Sequence, residues 1–146
     1  MMLHSTAVFT PRDIGELLRS RILPRITGAV VAATRLVADD ARANVSVMSG
    51  ELQASIAESE PSDDGKQIRA EVSAGTNHCM FVEFGTGLAG MGTYPYPLPQ
   101  KGVPITGSWI YDYKHQNWPG MTARPYLRPA LDTVRGEVLR EFEERL

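Results

Sequence analysis

The chain has 146 residues, 42% apolar and 22% charged, with a mean hydropathy of -0.20; that suits one ordinary core and excludes a wholly disordered chain. A net charge of -2 excludes a strongly basic nucleic-acid binder, and the single cysteine, Cys79, excludes an internal disulfide framework or a cysteine-only metal cage. The longest apolar run, Ala29 to Ala33, is too short to cross a membrane, and Met1 to Arg12 lacks the basic and apolar regions of a signal peptide.

Residues 1–10 are expected to be flexible. Thr10-Pro11-Arg12-Asp13 predicts a helix start, with Thr10 as cap and Pro11 at the first helical position. Ile14, Leu17, Leu18 and Ile22 recur at helical spacing, and Pro24 predicts a kink or a new start because it lacks a backbone donor. Ile26, Val30, Ala33, Val37 and Ala41 continue the apolar stripe to about Asn44. The alternation of Leu52, Ala54 and Ile56, then of Ile68, Ala70 and Val72, predicts an antiparallel hairpin around the turn cluster Pro61 to Gly65. Met80 to Phe84 reads as a strand or a short helical turn.

From Gly85 to Met121 the composition changes. Seven of the 13 glycines fall there, with Pro95, Pro97, Pro99, Pro104 and Pro119. Such a stretch cannot be a regular helix, and connections of this length are commonly functional or mobile. A short strand is predicted around Trp109, Ile110, Tyr111 and Tyr113. Arg128-Pro129 predicts a C-terminal helix, with Leu131, Val134, Val138 and Phe142 on its apolar face. The expected architecture is a single α+β domain over residues 1–146. A kinked N-terminal helix and a C-terminal helix pack on a small antiparallel β-sheet, and residues 85–121 form a long mobile Gly/Pro/aromatic loop.

Charge is unevenly spread. Residues 51–64 hold Glu51, Glu58, Glu60, Asp63 and Asp64 without a base, while residues 101–128 hold Lys101, Lys114, Arg124 and Arg128 against Asp112 alone. A self-associating ring could pair such patches head to tail; two solvated faces would look the same. Catalytic and ligand motifs fail on context. Gly85-Thr86-Gly87-Leu88-Ala89-Gly90 matches GxGxxG, but Pro95, Pro97 and Pro99 follow where a dinucleotide fold needs a helix. His78-Cys79 lacks further ligands at metal spacing, and no GxSxG elbow occurs. No catalytic residue, cofactor or metal is expected. Trp109, Tyr111, Tyr113 and Trp118 beside Lys114 and Arg124 suit a protein interface, or a stacking platform for single-stranded nucleic acid. The near-neutral charge favours the interface.

Three segments are more specific in combination: Asn44 to Ile56, Phe81-Val82-Glu83-Phe84-Gly85-Thr86-Gly87, and Ala123-Arg124-Pro125-Tyr126-Leu127-Arg128-Pro129-Ala130-Leu131. In this order, after an N-terminal helix, the chain resembles the tail-completion and head–tail joining proteins of long-tailed bacteriophages and prophages, over roughly residues 12 to 146. Tyr126 stands where that family commonly has Phe. The resemblance implies a non-catalytic structural protein of the virion tail or neck, made in the bacterial host cytoplasm. It implies a ring of copies of itself, six-fold in many relatives, that contacts tail-tube, terminator or head-connector proteins, with nucleic acid at most passing through the lumen. A tail terminator or other minor tail subunit is the nearest alternative. The residues assigned to assembly are Glu83, Phe84, Gly85, Thr86, Gly87, Trp109, Tyr111, Trp118, Arg124, Pro125, Tyr126, Leu127, Arg128 and Pro129. Arg124-Pro125 and Arg128-Pro129 are expected to hold the residue before each proline extended. Glu83 is expected to pair with the side chain of Arg124 or Arg128.

Overall fold

The structure, a computed structural model, describes residues 11–45, 50–90, 93–97 and 120–146. The chain starts with helix α1 (Pro11–Leu17), so Pro11 takes the first helical position. A π-helical turn follows over Leu18–Ile22, and α2 runs over Leu23–Asn44. Proline at position 24 interrupts the helix without ending it. Its ring would crowd the preceding turn, and that turn is widened: Leu23 N–H reaches back five residues to Leu18 O. Ala29, Ala38 and Ala41 on α2 are fully buried, which lets neighbouring elements approach the helix backbone closely.

After α2 the chain enters α3 (Glu51–Ala54) from Gly50, which sits at φ 71°. The strand expected at Leu52 therefore begins later, at β1 (Ile56–Glu58). Burial explains the difference: Leu52 and Ile56 are buried while Ala54 is exposed, a four-residue spacing that suits a helical turn better than a strand. The hairpin exists, as two short ladders. β1 pairs antiparallel with β4 (Val72–Ala74), with Ile56 opposite Ala74. β2 (Ser62–Asp63) pairs with β3 (Ile68–Arg69), with Ser62 opposite Arg69. At the tip, Gly65 takes φ 81° and Asp64 accepts the N–H groups of Lys66 and Gln67. Those bonds hold the Asp64 carboxyl below its ordinary range.

Cys79–Phe84 is helix α4, and Gly87–Gly90 is a single helical turn, α5. The GxGxxG-like run thus ends a helical turn at its third glycine where a dinucleotide site would open one. The C-terminal helix is two helices, α6 (Leu127–Thr133) and α7 (Arg135–Arg145), broken at Val134. Leu127 starts α6, so Arg128 is helical rather than extended and Pro129 is its third residue. There a proline is tolerated, because the first-turn N–H groups have no intrahelical acceptor.

The core gathers Ala38, Ala41, Val45, Leu52, Ile56, Tyr126 and Ala130. It joins α2, α3, β1 and α6. Glu58 of β1 is tied to α2 by Arg42 at 3.1 Å and Arg35 at 4.0 Å, so part of the acidic stretch is neutralised within the chain. Residues 46–49, within the first motif, and residues 91, 92 and 98–119, which include the strand expected around Trp109 to Tyr113, lie outside the described residues, as do residues 1–10. Among the described residues no helix is long and apolar enough to cross a membrane.

Candidate assembly site

The second and third sequence motifs, far apart in the chain, meet along one seam. Thr86 and Met121 form an antiparallel bridge: Thr86 N–H donates to Met121 O at 2.8 Å, and Met121 N–H donates to Thr86 O at 3.0 Å. Arg124 N–H donates to Val82 O at 2.7 Å. Ala123 N–H donates to the Thr93 hydroxyl at 2.8 Å, and that hydroxyl donates to Gly90 O at 2.9 Å. Glycines make this closeness possible. A Cβ on Gly85 would lie 2.7 Å from Ala123 N, one on Gly90 would lie 2.8 Å from Gly85 C, and one on Gly120 would overlap Thr86 O. Gly85, Gly87 and Gly120 also hold positive φ, at 76°, 61° and 90°.

Glu83 closes the seam. Its Oε2 accepts the N–H of Tyr126 at 2.7 Å and of Leu127 at 3.0 Å, and its Oε1 accepts the N–H of Arg128 at 3.3 Å. These donors lie at the start of α6, where Tyr126, the N-cap residue, supplies no side-chain cap. A carboxylate from α4 therefore does what a local Ser or Asp usually does, and its charge faces the positive end of the helix dipole. It is only 4% exposed, so each bond forms away from competing water.

The expected ion pair is therefore corrected. Among the described residues no salt bridge joins Glu83 to Arg124 or Arg128. The first-turn N–H groups take the carboxylate instead, because they converge on it in fixed positions. Arg128 meets Glu83 through its backbone only. Its guanidinium pairs with Asp132 at 3.3 Å and lies 5.5 Å from the centre of the Tyr96 ring. Tyr96 packs edge-on to Tyr94, which packs edge-on to Phe84. Burial, then the nearby Glu83 charge, pushes the Tyr94 hydroxyl pKa up. Tyr126, 1% exposed, is pushed further in the same direction, chiefly by burial.

Of the residues assigned to assembly, Glu83, Phe84, Gly85, Thr86, Gly87, Arg124, Pro125, Tyr126, Leu127, Arg128 and Pro129 come together here. Trp109, Tyr111 and Trp118 lie outside the described residues. Thr93, Tyr94, Tyr96, Gly90 and Gly120 belong to the same site. Of these, the sequence marked Gly90 only as the third glycine of the GxGxxG-like run and Gly120 only as one glycine of a Gly- and Pro-rich stretch. Beside the seam opens an apolar groove of about 870 Å³, between α2 (Val30, Val37), the hairpin (Ile68, Val72), Phe84 of α4 and Leu131 of α6. Among the described residues no group of three His, Cys, Asp or Glu side chains is placed to hold a metal ion.

The residues that make this chain distinctive are spent on holding backbone against backbone, which defines a structural module. The chain belongs to the HK97-gp10-like family of phage tail components. That family's model, described as "Bacteriophage HK97-gp10, putative tail-component", matches residues 10–85, just over half of the chain. The match takes in α2, the hairpin and Glu83, while the 123–131 motif lies beyond it. No match was found among curated proteins, and none among solved structures.

Proposed function

We propose that this tail component completes the end of the phage tail and joins it to the head, assembling as a ring in the virion neck. The observation that carries the reading is the seam. It brings both ends of the stretch between Thr86 and Met121 to one place, with Glu83 bracing the helix that follows. Trp109, Tyr111 and Trp118 belong to that stretch, and protein interfaces are enriched in such residues. A rigid base carrying an aromatic-rich stretch suits contact with tail-tube, terminator or connector neighbours. Copies assemble in the host cytoplasm and remain in the virion; the ring in many relatives of this kind is six-fold.

Electron microscopy of lysates from the parent phage lacking this gene tests the reading. Filled heads beside detached tails of normal length are expected. Tails of abnormal length would shift the assignment to a terminator, and intact joined virions would overturn it.

A further inference from the structure

We propose that the N-terminal arm and the tip of the hairpin form a clasp within one chain: the arm swings on the π-helical turn, pairs Arg19 with Asp63, and closes the cleft between them. The arm is α1 with that turn. A cleft of about 420 Å³ separates it from the tip, with Leu18, Arg19 and Ile22 on one wall and Asp63, Lys66 and Ile68 on the other.

Neither wall is packed into the domain. Residues 16–21 of the arm and 62–67 of the tip are all exposed, and the principal contacts of α1 are with its own continuation. The joint behind the arm is built to bend. Leu23 N–H reaches back five residues to Leu18 O, and Pro24 has no N–H to give. Prolines and π-helical turns are where helices kink. The tip is a ladder of two residues per strand, and a hairpin that short is marginal by itself. It joins the β1–β4 ladder through the bond from Ser59 N–H to Glu71 O at 2.8 Å.

Charge and burial both favour closing. The arm carries Arg12, Arg19 and Arg21 against Asp13 and Glu16, while the tip carries Asp63 and Asp64 against Lys66. Opposite net charges therefore face each other across the cleft. Asp63 Oδ1 accepts the Gly65 N–H at 2.8 Å, which leaves its other oxygen for a guanidinium. Among the described residues neither Arg19 nor Asp63 has an ion pair. Leu18 is 47% exposed, and closing takes it out of water against Ile68. The closed clasp fixes the direction in which α1 leaves the domain, and so where α1 is presented to a neighbouring virion protein.

Pulsed electron resonance between spin labels on the full-length chain tests this. Labels at Arg12→Cys and Ser62→Cys, both exposed and off the cleft walls, in a Cys79→Ala background report the distance from arm to tip. Two distances are expected, the shorter one closed. Arg19→Asp and Asp63→Arg are each expected to lower the ratio of closed to open about fivefold, and the double reversal to restore it, with circular dichroism unchanged. Pro24→Ala supplies the missing N–H, and is expected to stiffen the arm and deplete the closed form. A single open distance, reversal without rescue, or a closed fraction indifferent to Pro24→Ala would overturn the clasp.

Discussion

Replacing Glu83 with Gln keeps the shape of the side chain and removes its charge. In the wild type one carboxylate oxygen accepts two N–H groups and the other accepts a third. Gln offers one acceptor oxygen and turns an amide NH₂ toward the remaining donor, so one N–H at the start of α6 is left facing another donor. Loss of a helix cap costs about 1 kcal/mol, and charge-assisted bonds are worth about 1.5–3 kcal/mol. Because the site is buried and the charge also faces the helix dipole, Glu83→Gln is expected to cost about 2–3 kcal/mol. For a chain of this length that lowers Tm by about 5–10 °C. Glu83→Ala, which strands all three donors, is expected to cost about 4 kcal/mol. Glu141→Gln is the control: it removes an exposed pair with Arg145 at 3.0 Å and should cost under ~0.5 kcal/mol. Scanning calorimetry with a parallel urea titration reads all three. A Glu83→Gln protein that melts within about 2 °C of wild type would refute the capping role.

Gly120→Ala puts a Cβ onto Thr86 O at a φ of 90° and should lose about 3 kcal/mol, while Gly136→Ala, in open space on α7, should gain about 0.5–1 kcal/mol; urea midpoints separate the two. Burial raises the Tyr126 pKa above its unfolded value, so its contribution is whole below about pH 10 and is lost as pH rises through the folded pKa. Tyr126→Phe should therefore make the alkaline fall in stability shallower. At neutral pH it should cost under ~1 kcal/mol, since the hydroxyl's bond to Cys79 O is long at 3.5 Å; melting curves at neutral and alkaline pH check both. Ala38→Leu, at a fully buried position on α2, should overpack the core and cost about 1–3 kcal/mol by the same titration.

Long-range periodicity read well in this sequence and local alternation read poorly. The helical run to Asn44 was legible because its apolar residues recur over many turns, and the interruption near Pro24 follows from the missing donor. Leu52, Ala54 and Ile56 misled because three residues of alternation look alike in a strand and in a turn of helix with two buried positions four apart. The break at Val134 has only Gly136, two residues on, as a cue, and a glycine inside a helical pattern does not by itself mark a break. At the candidate site the glycines and prolines announced a special backbone, and the motifs named the participants. They could not say that Glu83 would choose N–H groups over arginines. That choice depends on where α4 and α6 lie relative to each other, which no spacing encodes. Thr93, Tyr94 and Tyr96 join the site only through this packing.

The bridge between Thr86 and Met121 also separates two kinds of sequence constraint. Inside the seam a single methyl group is too much at Gly120, whereas lengthening a flexible connection costs only loop-closure entropy, about 0.6 kcal/mol per doubling. On the proposed neck role, related phages can diversify the part of the chain between Pro97 and Gly120 to suit their own neighbours while the frame stays unchanged.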